Sequence, residues 1–477
     1  MLNNYLAKIK AVIILLLAII VGAELYSPLV RVFFKVPVNY NDGWNAYHVA
    51  QAIAGQPLYQ NILTPITYPP FSFYILAFFV KIFGNPLITE RLVSIFSILA
   101  IGICVFYLVR LFTKSFFESI FAALFCLELF TSFANSYVGM ADFQLLGNAL
   151  MLFALIIYFK FSSVKSLFTV SLLISISLFI NPDLIAIPIA LVMYSFFYQK
   201  RQFLPLICFL ILEIFAFTVV SQIISNNHFI YWTLFVRLYF LSHAFYLSFA
   251  VFTMLFMPII FSFIFSFISL KENKYHFFIL YFVTSLALGV IFSGGGGINI
   301  NVFFDLFISV SLAIGLFIHK LNPYLKNSPK KRVIYLYILT ILILFPLIFN
   351  VSNKSLSIEN LKSKERMTLS DVSFIKAHKG NALCETIVLC YLAEKSFVFD
   401  PYLTNVLVEK RILQETDLTN LLKEKKFSLI QLESLSYYHS DILIQGEERF
   451  SNDFLSKLKT YYYIKYKSEL GVYLVPK

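Results

Sequence analysis

The chain has 477 residues, 59% of them hydrophobic and only 13% charged, with Phe alone supplying 55. That composition excludes a soluble monomer and places the chain among polytopic membrane proteins. The formal net charge of +12 does not point to nucleic acid, because the excess sits in short loops between apolar runs, where it acts as a topology signal.

Lys8 and Lys10 precede an apolar run from Ala11 to about Gly22. With no clear small-residue cleavage site after it, and many spans to follow, this run reads as an uncleaved first transmembrane helix. Next comes a polar and aromatic stretch over residues 37–84, within a first outer loop of 35–86, which we read as the floor of an active site. It carries an Asp42-Gly43-Trp44 turn, a helical pattern from Trp44 to Ala54 closed by Gly55, and a Tyr68-Pro69-Pro70-Phe71 corner. Asp42 is either the N-cap of that short helix or a general base held at a water-facing surface among aromatic rings. The segment 71–84 has fourteen residues, follows a double proline and contains Lys81. It is too short for roughly 30 Å of hydrocarbon and reads as a helix lying at the interface.

Further apolar segments lie near 87–109, 115–135, 143–159, 166–181, 183–198, 203–224, 248–269, 276–293, 303–318 and 333–349, which makes eleven spans with the first. The Asn181-Pro182-Asp183 break reads as a tight hairpin. If 71–84 does not cross, fifteen basic residues of the membrane half fall on one side and five on the other: Arg31, Lys35, Lys81, Arg91 and Arg237. The positive-inside rule then puts the N-terminus in the cytoplasm and the C-terminal residues outside. The outward loops collect Asp42, Glu90, Asp142, Asp183 and Asp305, which implies a polar outward cavity, since charges at membrane depth face cavities or each other.

Asp142, at the outer end of the fourth span, is placed to meet Asp42 across that cavity. Two carboxylates there can bind a divalent cation or divide acid and base roles, although Asp142 can equally cap its helix. Arg91, Arg237 and Lys81 either snorkel to headgroups or grip a lipid phosphate, Arg through a bidentate fork and Lys as a point charge. The run Gly294 to Gly297, followed by Ile298-Asn299-Ile300-Asn301, is either a flexible turn or an anion cradle at a helix N-terminus. The seven histidines have no metal-ligand spacing and no nucleophile elbow occurs, so neither a zinc enzyme nor a serine hydrolase is expected. Glu128 and Glu213, deeper in their spans, suit a transporter or flippase, the alternative class for a many-span protein with a polar cavity.

Residues 1–351 hold 20 Lys and Arg against 10 Asp and Glu, and residues 352–477 hold 18 against 16. The second stretch therefore reads as a small extramembrane α/β domain. Strands are predicted at Ala382–Cys384, Phe397–Phe399 and Ser428–Leu432. Helices are predicted at Glu385–Glu394, Asp417–Lys425 and Phe450–Lys459, and a hairpin over Tyr461–Val475 turns at Glu469-Leu470-Gly471. Six residues of strand would hold Cys384 and Cys390 about 20 Å apart, beyond the ~7 Å a disulfide allows, so no bridge is expected.

Several of these motifs together resemble bacterial membrane glycosyltransferases of the GT-C fold, relatives of protein O-mannosyltransferases and of the aminoarabinose transferases that modify lipid A. They are Asp42 after the first span, then Tyr47, Gly55, Pro57 and Tyr59, then Tyr68-Pro69-Pro70 leading to Phe83-Gly84, then Glu90-Arg91-Leu92. Gly297 to Asp305 is similar to a Gly, Asn-aromatic-x-x-acid element of such proteins, with Val302 and Phe303 in place of Tyr-Phe. Gly380 to Glu385, Phe399-Asp400-Pro401 and 421–432 resemble their extracytoplasmic domain. The resemblance implies transfer of a sugar from a polyprenyl-phosphate carrier to a lipid, glycan or protein acceptor at the outer face of the cytoplasmic membrane, with inversion. By position it implies Asp42 as the catalytic aspartate and Arg91 and Lys81 as phosphate contacts, to which the placement of Asp142 across the cavity adds a second candidate catalytic carboxylate. Tyr47, His48, Tyr68, Asn301 and Asp305 would serve as further binding residues. Asn181-Pro182-Asp183 stands where many relatives carry Lys-x-Pro, so Arg237 or another cation would have to replace that lysine.

Overall fold

An apolar run in lipid can satisfy its backbone only within itself, and so becomes a helix. The computed structural model describes residues 2–237, 245–296, 298–325, 329–349, 358–434 and 449–477, and every predicted span in it is helical. The membrane half comprises α1 (Leu2–Arg31), α2 (Tyr40–Ile53), α3 (Pro70–Phe83), α4 (Pro86–Thr113), α5 (Phe116–Phe133), α6 (Gln144–Lys160) and α7 (Val164–Ile180). It continues through α8 (Ala186–Tyr198), α9 (Lys200–Ile224), α10 (Tyr246–Met254), α11 (Phe256–Ser269), α12 (His276–Ser293), α13 (Phe304–Leu325) and α14 (Pro329–Phe349). Among the described residues six helices are long and apolar enough to cross a membrane unaided, and shorter apolar helices fill the remaining predicted spans. The protein is a multi-span, mostly helical membrane protein.

Two boundaries differ from expectation. The first helix runs on to Arg31 and carries Pro28 inside it, so the proline, which removes one backbone donor, does not end the helix. The expected span 248–269 is two helices, α10 and α11, bent by 77° at Leu255. Helix α13 is the hub: 94% of its apolar window is buried, against 22% for α1 and 17% for α9 at the periphery. Helix α3 has 14 residues, about 21 Å at 1.5 Å per residue, shorter than the hydrocarbon layer.

The C-terminal part begins with α15 (Ile358–Ala377) and continues through β1 (Ala382–Cys384), α16 (Ile387–Leu392), α17 (Pro401–Glu409), α18 (Glu415–Lys423), β2 (Leu429–Leu432), α19 (Asn452–Tyr461), β3 (Tyr462–Ser468) and β4 (Gly471–Pro476). The expected domain border at 351–352 lies outside the described residues. The sheet order is β1-β2-β4-β3, with β1 and β2 parallel and the other pairs antiparallel. Leu383, Ile430 and Leu474 pack under Phe399, Leu422, Phe454 and Leu458 as its core. The expected strand at Phe397–Phe399 is irregular, and α15 and α17 are additions to the predicted set.

The expectation for the cysteines is overturned. Strand β1 stops at Cys384 and α16 starts at Ile387, so the chain doubles back, the Cα atoms lie 5.8 Å apart, and Cys384 and Cys390 are joined by a disulfide. A strand that ends in a helical turn has none of the reach of six extended residues.

Candidate active site

Helix α2 organises one end of the bundle. Its N-cap is Asn39, whose side chain accepts from the Asn41 N–H, and not Asp42. Asp42 instead lies in the first turn, where the helix dipole favours a carboxylate. Its oxygens accept from Arg91 Nη2 at 2.5 Å and Nε at 3.4 Å, and from the N–H groups of Val38 and Ala141, each at 3.2 Å. Arg91 also donates to the carbonyls of Phe34 and Val36, both at 2.8 Å. Both side chains are 0% exposed. One ion pair thus ties the segment after α1, the start of α2, the second turn of α4 and the loop before α6. Asn45, one turn along α2, donates to the carbonyl of Ala141 on that same loop.

Removing one partner of a buried ion pair strands the other, at about 3–5 kcal/mol. Asp42→Asn should therefore lower stability by that order, read as a drop in the thermal unfolding midpoint of the purified protein. An unchanged midpoint would mean that Arg91 re-pairs elsewhere.

A second cluster lies on the other side of the same loop. Arg237, at the end of a π-helical turn over Tyr231–Val236, pairs with Asp183 and donates to Asn181 Oδ1 at 3.5 Å and to the Thr67 carbonyl at 3.3 Å. Its guanidinium stacks 4.5 Å from the centre of the Tyr68 ring. The hairpin holds its own shape, since Asn181 Oδ1 accepts from the Asp183 N–H at 3.1 Å. Asp142 accepts from the Gln144 N–H at 2.7 Å, and the charges that act on it are those of Arg237 and Asp183, not Asp42. Burial pushes the Asp142 carboxyl up to about 6, partly opposed by that N–H and by Arg237. Burial likewise pushes the Tyr68 hydroxyl up to about 12. Unlike the Asp42–Arg91 pair, this cluster is open: the side chains of Arg237 and Asp183 are 18% and 20% exposed.

The remaining expected site residues divide. Asn301 belongs beside Asp142, since its side-chain N–H donates to Gln144 Oε1 at 2.8 Å and its carbonyl accepts from Gln144 Nε2 at 2.9 Å. Asp305, in the first turn of α13, accepts from the Tyr281 hydroxyl at 2.7 Å and works as an interhelix tie. Lys81 is exposed in the last turn of α3. Of the expected glycine cradle, Gly297 lies outside the described residues. Glu213 accepts from Ser171 and Ser175 at 2.9 and 3.1 Å, which makes it a staple between α9 and α7. Among the described residues no group of three or more His, Cys, Asp or Glu side chains is arranged to hold a metal ion.

The opposite face of α2 carries the C-terminal part. A Cβ at Gly43 would stand 2.2 Å from the backbone N of Val388 in α16, so only glycine lets the two helices approach this closely. Next to it Trp44 Nε1 donates to Asp400 at 2.8 Å, and the Tyr40 hydroxyl donates to the other Asp400 oxygen at 2.7 Å. Tyr47 stacks on Phe397 at 4.9 Å and donates to the Lys395 carbonyl at 2.6 Å. His48 is buried between Trp44, Phe73 and Phe397, which pushes its ring down to about 4 and keeps it neutral. Tyr47 and His48 therefore join the two halves of the chain. Gly43→Ala should force a shift costing about 1–3 kcal/mol, seen as a lower unfolding midpoint and faster limited proteolysis of residues beyond 358.

The sequence places Asp183 among the outward acids and Asp400 in the Phe399-Asp400-Pro401 motif, but assigns neither of them a partner in the site. The only signal for Asp400 was its Asp-Pro pattern, since it caps α17 through the Leu403 N–H. Nothing local to Asp183 announced its pairing with an Arg 54 residues away.

No protein-family model and no curated protein matches this sequence. Solved structures do. ArnT from Cupriavidus metallidurans, bound to undecaprenyl phosphate, superposes with a TM-score of 0.61 at 11% identity, covering 96% of this chain and 97% of its own. The fold is that of ArnT. The apo form of the same protein gives a TM-score of 0.62 at equal coverage. The Archaeoglobus fulgidus oligosaccharyltransferase gives 0.54 at 12% identity, covering 98% of this chain and 74% of that one. The ArnT-like fold thus extends over both the membrane half and the C-terminal part, in agreement with the GT-C resemblance of the motifs.

Proposed function

We propose that this protein is a glycosyltransferase that moves a sugar from a polyprenyl-phosphate carrier to a hydroxyl of a lipid, glycan or protein acceptor. The observation that carries the reading is the partly open cluster of Arg237, Asp142, Asp183 and Tyr68 at one end of the bundle. It offers an anion-binding fork, a carboxyl tuned near neutrality and an aromatic wall in one place. The ArnT-like fold supports it, since the solved ArnT holds undecaprenyl phosphate.

In this reading Asp142 accepts the proton of the acceptor hydroxyl as that oxygen attacks the anomeric carbon. The bond from that carbon to the phosphate oxygen breaks, the configuration inverts, and the polyprenyl phosphate leaves with its charge stabilised by Arg237. Asp183 occupies the guanidinium that the phosphate would take, so donor binding exchanges one anion for another. Asp42 and Arg91 are sealed from the surface and act as positioning residues, because their pair holds the loop that ends in Asp142. Lys81, exposed at the tip of α3, attracts anionic headgroups toward the site.

The site-bearing end and the C-terminal part are assigned to the outer side of the cytoplasmic membrane. The fifteen-to-five division of basic residues supports this, and so does the Cys384–Cys390 disulfide, a bond that persists in oxidising compartments.

The test is transfer in membranes containing the overproduced protein, supplied with polyprenyl-phosphate sugars and read by mass spectrometry of the lipid and glycan fractions. Release of polyprenyl phosphate together with a new glycosylated product is the expected result. Sugar-independent movement of the carrier across sealed vesicles, with no bond made or broken, would instead establish a flippase.

A further inference from the structure

A second polar site lies at the opposite end of α6, seventeen residues from the catalytic cluster, or about 25 Å at 1.5 Å per residue. There a cavity of about 230 Å³ is lined by Tyr158, Phe159, Lys160, Tyr194, Gln199 and Gln202. Two of these side chains carry buried polar atoms with no partner in the protein, the Tyr158 hydroxyl and Gln202 Oε1. Tyr158 is 4% exposed and packs edge-on against Tyr194 at 6.5 Å. Buried donors and acceptors are almost always satisfied, and an orphaned donor and an orphaned acceptor lining one cavity point to a ligand that carries both an acceptor and a hydroxyl.

The charge around the cavity selects the ligand's sign. Lys160 stands at its rim, and Lys165, Lys200 and Arg201 follow in the adjoining turns, while residues 143–182 and 184–212 contain no Asp or Glu. The surroundings select an amphiphile. Phe161, which also lines the cavity, is 50% exposed, and Phe196, Phe197 and Leu204, which flank the lining residues Gln199 and Gln202 in the chain, are 51%, 57% and 65% exposed. A soluble phosphate ester would gain nothing from such a lip, whereas acyl chains would cover it.

We propose that this cavity holds the headgroup of an anionic glycerophospholipid in the leaflet opposite the catalytic cluster. Lys160 and the Tyr158 hydroxyl donate to the phosphodiester, and Gln202 Oε1 accepts from a headgroup hydroxyl. The site does not depend on the glycosyltransferase reading.

The experiment is native mass spectrometry of the purified full-length protein with dioctanoyl phosphatidylglycerol, dioctanoyl phosphatidylcholine or glycerol phosphate added in turn. The expected result is retention of phosphatidylglycerol over phosphatidylcholine, reduced about tenfold by Tyr158→Phe, the loss of one charge-assisted hydrogen bond, and at least as much by Lys160→Gln. Tyr158→Phe removes an oxygen that has no protein partner, so the unfolding midpoint should not fall, and Lys160 is exposed, so neither variant confuses binding with folding. Equal retention of both lipids, or retention indifferent to both substitutions, would overturn the proposal. Glycerol phosphate binding as tightly as the lipid would assign the cavity to a soluble phosphate and overturn the lipid assignment.

Discussion

Replacing Arg237 by Ala should lower sugar transfer by about 10²- to 10³-fold, the usual loss when one preorganised charge stabiliser of a leaving group is removed. The size follows from its surroundings. The guanidinium is held by Tyr68, Thr67 and Asn181, so it is aimed before the donor arrives and need not reorganise during bond breaking. Arg237→Lys should recover only part of the loss, because a point charge cannot reproduce a planar fork stacked on a ring. Asp183→Asn should move the kinetics in a different direction. Without the competing carboxylate the phosphate faces no intramolecular rival, so KM for the donor should fall while kcat changes little. Steady-state kinetics on the three variants checks the set, and an Arg237→Ala protein with normal kcat would remove Arg237 from the mechanism.

Asp142→Asn should cost about 10²- to 10⁴-fold in kcat, the range for loss of a positioned base, with little change in unfolding midpoint because Asn can still accept from the Gln144 N–H. The pH profile gives a second, independent reading. A base works in its deprotonated form, and burial holds this carboxyl near 6. Transfer should therefore be lost as pH falls through about 6 and should level off above it. The residual activity of Asp142→Asn should lack that limb. If wild-type transfer stays level down to pH 4.5, the base is some other group. His48 does not compete for the role, because its ring is buried and held near 4.

The spans were legible because they rest on a one-dimensional property, the run length of apolar side chains, that lipid reads directly. The kink at Leu255 was not read, although Pro258, in the first turn of α11, lacks the N–H that would bond back to Met254 and so marks the break. Within the site, Asp42, Arg91, Asp142, Tyr68 and Arg237 could all be named from the sequence as residues falling on one side of the bundle. Their partition into a sealed pair and an open cluster could not. It depends on which neighbour each guanidinium reaches, and a count of charges per loop treats Arg91 and Arg237 alike. The cysteine bridge was missed for a similar reason: spacing was converted to distance with the rise of a strand, and one helical turn at Ile387 changes that distance severalfold.

The contact of α2 with the C-terminal part also sets an order of events in biosynthesis. Trp44 and Asp400 are 356 residues apart in the chain, and at synthesis rates of about 5–20 residues per second the second follows the first by roughly 20 to 70 s. Through that interval the first loop is already inserted while Tyr40, Gly43, Trp44 and Tyr47 lack their partners, so this face of α2 is covered only by the last quarter of the polypeptide. A nascent chain stalled before residue 387 should thus carry the predicted transmembrane helices and still leave that face of α2 uncovered. A chaperone or oxidase that acts on residues 384–400 would control when the two halves of the chain join.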